Sequence, residues 1–220
     1  ERAFVHDAAH ELRTPLAVIA AQTHLLTEAR SEQERSEAAE NLLASIRRTA
    51  HLSQQLLDLA ALDREPMAEP QEVDLAALTA QMLAGQIGQA QERGIALSLE
   101  APEHLPRRVD LPAFQSVLQN LLDNALRYVP RGGQVEVHLQ ALPGSGISLK
   151  VADDGPGIAP AERELVFERF WRGKNHGQPG SGLGLAIVQQ AAQRLGGRVR
   201  LGEGLGGRGA GFELSILGHS

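Results

Sequence analysis

Three groups of residues in this chain have the types and spacing to carry chemistry. The first lies near the amino terminus, in Phe4-Val5-His6-Asp7-Ala8-Ala9-His10-Glu11-Leu12-Arg13-Thr14-Pro15-Leu16. A neutral imidazole is a competent nucleophile near neutral pH, and Glu11 beside His10 can hold or accept the ring N–H proton. Thr14 falls one helical turn further on, on the same face as His10. His6 and His10 are also four residues apart, a spacing that can bind metal, but no third ligand is apparent. The chain has eight histidines, so His10 draws its meaning from the motif around it.

The second group is Asn120, Asn124 and Arg127, at i, i+4 and i+7 of a helical pattern and therefore on one face. Amide oxygens there are reasonable ligands for a Mg2+ that keeps several waters and bridges phosphates. The same stripe could be no more than a solvated helix face. The third group is a pair of glycine clusters, Asp153-Asp154-Gly155-Pro156-Gly157-Ile158 after a strand and Gly180-Ser181-Gly182-Leu183-Gly184-Leu185 before a helix. Glycines leading into a helix let backbone approach a phosphate, whose charge the free N–H groups favour. Each alone is equally readable as a plain turn. No G-x-x-x-x-G-K-[ST] is present, and neither cluster fits the dinucleotide fingerprint in a βαβ setting.

These groups need elements to hold them. Residues 1–63 contain one proline and no glycine, which is helical composition. Val5, Ala9, Leu12, Leu16, Ile19, Thr23 and Leu26 alternate at spacings of four and three, the seam of a bundle. After the polar stretch Glu28 to Glu37, where Ser31 can cap a helix, apolar residues cover two faces. Ala39, Leu43, Ile46, Ala50 and Leu57 form one; Leu42, Leu52, Leu56 and Leu59 form the other. A hairpin with that much apolar surface cannot bury it alone, and a homodimeric four-helix bundle is the economical solution. Packing on the rest of the same chain is the alternative.

Arg64 to Val73, with Pro66 and Pro70 and no periodicity, reads as a linker. Beyond it the pattern predicts helices over Leu75 to Glu92, Leu111 to Tyr128 and Gly182 to Leu195. It predicts strands over Ile95 to Glu100, Gln134 to Gln140, Ile147 to Ala152, Val199 to Gly202 and Phe212 to Leu217. Pro143-Gly144-Ser145-Gly146 joins two of them as a hairpin. Helices on one face of a mixed, mostly antiparallel sheet make an α+β two-layer sandwich.

With 21 Lys plus Arg against 27 Asp plus Glu, nothing in the charge balance calls for nucleic acid. The absence of cysteine excludes disulfides, thiolate metal sites and thiol nucleophiles. No apolar run reaches the ~20 residues of a membrane helix. The chain begins inside a helical pattern without a cap, which reads as a piece of something longer.

The order of motifs, an asparagine-rich helix, then D-x-G-x-G, then a Gly-rich segment ending in G-x-G-L-G-L, resembles the Bergerat ATP-binding fold. Histidine kinases, gyrase-type ATPases and certain anti-sigma-factor kinases share that fold. The string HELRTPL at residues 10–16 resembles the signature of histidine kinase dimerisation domains, and the likeness runs from Phe4 to about Leu217. The resemblance implies a dimeric hairpin over residues 1–65, a linker over 66–73 and a catalytic ATP-binding domain over 74–220. It implies ATP and Mg2+, with Asn120 and Asn124 on the metal and phosphate. Arg127, at a position often lysine, contacts phosphate; Tyr128 lies along the nucleotide; Asp153 accepts from the adenine amino group. Gly155, Gly157, Gly180, Gly182, Leu183 and Gly184 shape the pocket, and Arg172, in a segment (Phe167 to Arg172) like the kinases' phenylalanine box, reaches a phosphate. Gly173 to Ser181 is expected as a mobile lid.

His10 is the expected phosphoacceptor, and Glu11 with Thr14 marks kinases that also dephosphorylate their regulator. The implied partners are a second copy of the chain and the receiver domain of a response regulator. A membrane enters only through segments outside the chain, making it the cytoplasmic domain of an inner-membrane protein. Two rivals stand: an ATP-driven clamp or serine kinase on the same fold, and a degenerate kinase serving as a dimeric ATP-binding scaffold.

Overall fold

Proline 15 costs α1 a hydrogen bond at the Glu11 carbonyl, yet the helix runs unbroken from Arg2 to Glu28. A second helix, α2, spans Glu32–Arg64. The turn between them is closed by a reciprocal cap. Ser31 Oγ accepts the Glu34 N–H at 3.2 Å, while Glu34 Oε2 accepts the N–H groups of Arg30 at 2.8 Å and Ser31 at 3.3 Å. The computed structural model describes residues 2–64, 69–173 and 180–218, with side chains from residue 8 onward and not at residue 64. It divides into two units, Glu1–Ala60 and Ala61–Ser220.

Within the first unit the two apolar faces of α2 fare differently. Leu52 and Leu59 are buried and Leu42 and Leu56 half-buried, whereas Leu43, Ile46 and Leu57 are 54%, 45% and 61% exposed. Leu16 and Leu25 of α1 are likewise exposed. One face of α2 is covered and the other is left open.

The second unit starts with an unexpected pairing. Strand β1, Gln71–Asp74, lies in the stretch read as a linker and pairs antiparallel with β3, Pro106–Val109. The main sheet comprises β2 (Ala96–Glu100), β4 (Gln134–Leu142), β5 (Gly146–Asp153), β6 (Gly197–Glu203) and β7 (Ala210–Ile216). Its order is β2-β4-β5-β7-β6, with only β2 and β4 parallel. Helices α3 (Leu75–Glu92), α4 (Leu111–Tyr128) and α5 (Gly184–Arg194) complete the layer above it.

Strand alternation decides which face they cover. Val135, Val137, Leu139, Leu149, Val151, Phe212 and Leu214 join Phe114, Leu118, Leu122 and Val188 in one core. The opposite face carries the in-register row Glu100, His138, Lys150, Glu213 and Arg200, one residue per strand. The expected α+β sandwich, helices on one side of a mostly antiparallel sheet, is the observed one. Short 3-10 turns at Pro160–Glu162, Leu165–Phe167 and Leu205–Gly207 were not foreseeable from periodicity.

Candidate functional site

Helix α4 begins at a cap that its sequence dictates. Asp110 Oδ1 accepts the Ala113 N–H at 3.1 Å, and Pro112 occupies the first turn, where its missing N–H is harmless. Phe114, Val117, Leu118, Leu121 and Leu122 turn to the core, which fixes the rotation of the remaining face. Asn120 is buried and its Nδ2 donates to the Ser116 carbonyl at 2.9 Å, orienting the amide. Asn124 and Arg127 are half-buried, and Tyr128 is exposed. Arg127 Nη1 lies 2.9 Å from where a Cβ on Gly180 would stand. The end of α4 thus meets the start of the second glycine cluster.

Asp153 ends β5 with its side chain buried, 4% exposed. Its Oδ1 accepts the N–H groups of Gly155 at 2.9 Å and Ala210 at 3.2 Å, and among the described residues no donor is bonded to Oδ2. Burial raises the carboxyl above its ordinary range, against the lowering effect of those two N–H groups; the neighbouring Asp154 adds to the rise. Gly209 closes the floor. At φ +70 it sits so close that a Cβ would stand 1.9 Å from the Asp153 carbonyl oxygen, so glycine alone fits. Gly155 lies under the Tyr128 carbonyl, 3.4 Å from its own Cβ position, and Gly157 takes a positive φ of 70° against Gly209.

The second cluster is folded back on the segment Phe167 to Arg172. Gly182, at φ +72, has its Cβ position 2.6 Å from the Phe170 carbonyl carbon. Phe170, itself at φ 63°, donates its N–H to the Gly182 carbonyl at 3.0 Å. Ser181 Oγ accepts the Leu183 N–H at 3.1 Å. Leu183 is wholly buried. Gly184 opens α5, whose first turn carries no side-chain cap, leaving N–H groups suited to an anion. Arg172 is exposed at the edge of the same segment. Residues 174–179, most of the expected lid, lie outside the described residues.

On α1, His10 and Thr14 are exposed and Glu11 is half-buried; the His6 side chain lies outside the described set. Among the described residues no group of three His, Asp or Glu could hold a metal. The residues expected to hold a cation are instead Asn120 and Asn124, whose amides are neutral. That set fits a hard ion whose charge is balanced by a polyphosphate.

The structure brings Arg127 to Gly180, and Gly155 to Asp153 and the Tyr128 carbonyl, at the end of the central strand β5. Asn120 and Asn124 lie on the same helix as Arg127, and Gly182 packs on Phe170 instead. Sequence reasoning missed Gly209 and Ala210, whose only signal is a glycine-rich loop, Gly204 to Gly211, before the last strand.

Residues 109–218 match the family model described as histidine kinase-, DNA gyrase B-, and HSP90-like ATPase, and residues 1–65 match the His Kinase A phospho-acceptor domain. The swarming motility regulation sensor protein RssA of Serratia marcescens is 40% identical over 217 residues, covering 98% of this chain and 46% of RssA. The sensor protein kinase PmrB of Pseudomonas aeruginosa is 38% identical over 213 residues, 95% of this chain and 44% of PmrB. The chain spans about half the length of these curated relatives. Among solved structures, the Acinetobacter baumannii histidine kinase AdeS shares the fold at a TM-score of 0.74 and 22% identity, over 96% of this chain and 98% of its own. Full-length ShkA in complex with AMPPNP aligns at a TM-score of 0.66 and 27% identity, over 98% of this chain and 45% of ShkA. With a phosphoacceptor helix model and an ATPase model matched in that order, the chain belongs to the sensor histidine kinases of two-component signal transduction.

Proposed function

We propose that this chain transfers the γ-phosphoryl group of ATP to His10 and then to an aspartate on the receiver domain of a response regulator. The observation carrying this reading is Asp153, buried and oriented by the Gly155 and Ala210 N–H groups, at one edge of a site bounded by α4 and the Gly180–Gly184 cluster. Its Oδ2 is the acceptor for the adenine amino group. Tyr128 lies along the base, and Arg127, Arg172 and the first N–H groups of α5 take the phosphates. The glycines 155, 157, 180, 182 and 184, with the Leu183 backbone, form the walls.

Asn120 and Asn124 hold Mg2+, which supplies charge neutralisation on the phosphates and leaves the protein chiefly the task of positioning. A ring nitrogen of His10 forms the new P–N bond as the β–γ bridging P–O bond breaks and ADP departs. Glu11 takes the imidazole proton. The phosphoimidazole then gives its phosphoryl group to the regulator's carboxylate.

In this reading residues 1–65 serve dimerisation and phosphotransfer and 74–220 serve ATP, with movement assigned to the part of 66–73 that precedes β1. The open face of α2, Leu43, Ile46 and Leu57, is the surface for a second copy. Thr14, exposed one turn from His10, places the attacking water when the regulator is dephosphorylated. No helix among the described residues is long and apolar enough to cross a membrane; the chain's place is the cytoplasmic side of an inner-membrane sensor whose anchor lies in other segments. A clamp or serine kinase has no use for HELRTPL, and the intact Asn120, Asn124, Asp153 and glycine clusters speak against a degenerate kinase.

The test is incubation with Mg2+ and γ-labelled ATP, followed by addition of a receiver domain. Acid-labile, base-stable label that moves to the receiver supports the reading; label stable in acid points to a serine kinase. In the same assay Thr14→Ala should keep the forward transfer and slow loss of label from the receiver.

A further inference from the structure

Pro130 creates a problem at the end of α4. The Leu126 carbonyl would normally accept the N–H four residues later, and proline has none. The structure fills that position from another element. Arg93, the residue that ends α3, donates Nη1 to the Leu126 carbonyl and Nη2 to the Val129 carbonyl. Its own main chain is fixed too: the N–H donates to Ala90 O at 3.2 Å, and the carbonyl accepts the Gly132 N–H at 3.1 Å. Arg131 returns a bond from Nη2 to the Glu92 carbonyl at 3.0 Å.

From the other side, Asp154 holds the same turn. Its Oδ1 accepts the Gln134 N–H at 2.8 Å, and its N–H donates to the Gln134 carbonyl at 3.2 Å. Gly133 has no side chain because Val129 Cγ1 and Asp154 Oδ1 stand 2.5 and 2.6 Å from its Cβ position. Residues 129–134 are therefore gripped between the end of α3 and the residue next to Asp153. That turn sets the distance between the two halves of the site: Arg127 and Tyr128 in the last turn of α4, Asp153 and Gly155 at the end of β5.

We propose that Arg93 is a positioning residue for the nucleotide, its planar fork replacing the N–H that Pro130 lacks and fixing the last turn of α4 against the Asp153 loop. A fork bonding two carbonyls cannot be replaced in full by a lysine ammonium. The proposal rests on the nucleotide-site reading above.

Arg93→Met and Arg93→Lys are compared with the wild-type chain below their unfolding temperatures. Binding of a fluorescent trinitrophenyl-ATP and the KM and kcat of autophosphorylation are measured. Loss of the fork should raise Kd and KM for ATP about tenfold in Arg93→Met, with kcat at saturating ATP nearly kept and Arg93→Lys in between. A lowered unfolding temperature with unchanged Kd and KM would make Arg93 structural only and overturn the proposal, as would an Arg93→Lys no better than Arg93→Met. If Arg93→Met does not fold, Arg93→Lys decides: a raised Kd supports the fork, a wild-type Kd refutes it. Wild-type chain that binds no nucleotide removes the site reading and this proposal together, whereas normal binding by both variants removes this proposal alone.

Discussion

The carboxylate of Asp153 and the backbone N–H of Ala210, 57 positions apart in the chain, meet at 3.2 Å on the same oxygen that accepts Gly155. Asparagine can keep both of those bonds through its Oδ1 while placing a donor where Oδ2 stood. Because burial raises the Asp153 carboxyl, the ionised form opposes folding, and stability falls as pH rises through its titration. Asp153→Asn should therefore keep or raise the unfolding temperature at neutral pH, and lose that pH slope. ATP should bind about a hundredfold more weakly, since two donors would face each other. Thermal unfolding across pH, beside a nucleotide titration, checks both halves.

Asp110 and Arg194 form an ion pair at 2.7 Å with side chains only 1% and 11% exposed. It ties the cap of α4 to the last turn of α5. Removing one partner leaves a buried charge uncompensated, so Arg194→Met should cost about 3–5 kcal/mol of the second unit's stability. Asp110→Asn combined with Arg194→Met should cost less than the single change at Arg194. Urea unfolding of wild type, Asp110→Asn, Arg194→Met and the double variant measures the coupling.

Asp74 caps α3 and is held down to about pKa 2 from the ordinary 3.8, chiefly by the Leu105 N–H and next by His104 at 2.9 Å. A depressed carboxylate contributes stability that is complete above pH 3.8 and is lost as pH falls through about 2. Unfolding midpoints taken down through that window should drop less steeply in Asp74→Asn than in wild type.

Gly85 and Gly88 sit in the interior of α3 on its exposed side, and a Cβ at either would meet nothing within 4 Å. Each Gly→Ala change should stabilise by about 1 kcal/mol, read as a higher urea midpoint with ATP binding unchanged.

The parts legible in the sequence were those coded locally. Helices α3 and α4 begin and end where the pattern places them because Asp74 and Asp110 are their caps and because Arg93-Gly94 and Pro130 stop them. That α2 carries two apolar faces was plain from its Leu and Ile spacing; which of them stays open was not. What escaped was non-local. Strands β1 and β3 are four residues each, too short for alternation to speak, and they pair across α3 and β2. Gly209 and Ala210 complete the Asp153 site from a loop whose composition says only that it turns. Likewise nothing near Arg93 signals that its partners are the carbonyls of α4.

The most direct test of the account is labelling of the purified chain by γ-labelled ATP with Mg2+, wild type against His10→Gln. The account predicts acid-labile, base-stable label on wild type and none on His10→Gln, with both binding nucleotide equally. Equal labelling of the two would contradict it, by placing the phosphoacceptor elsewhere in the chain.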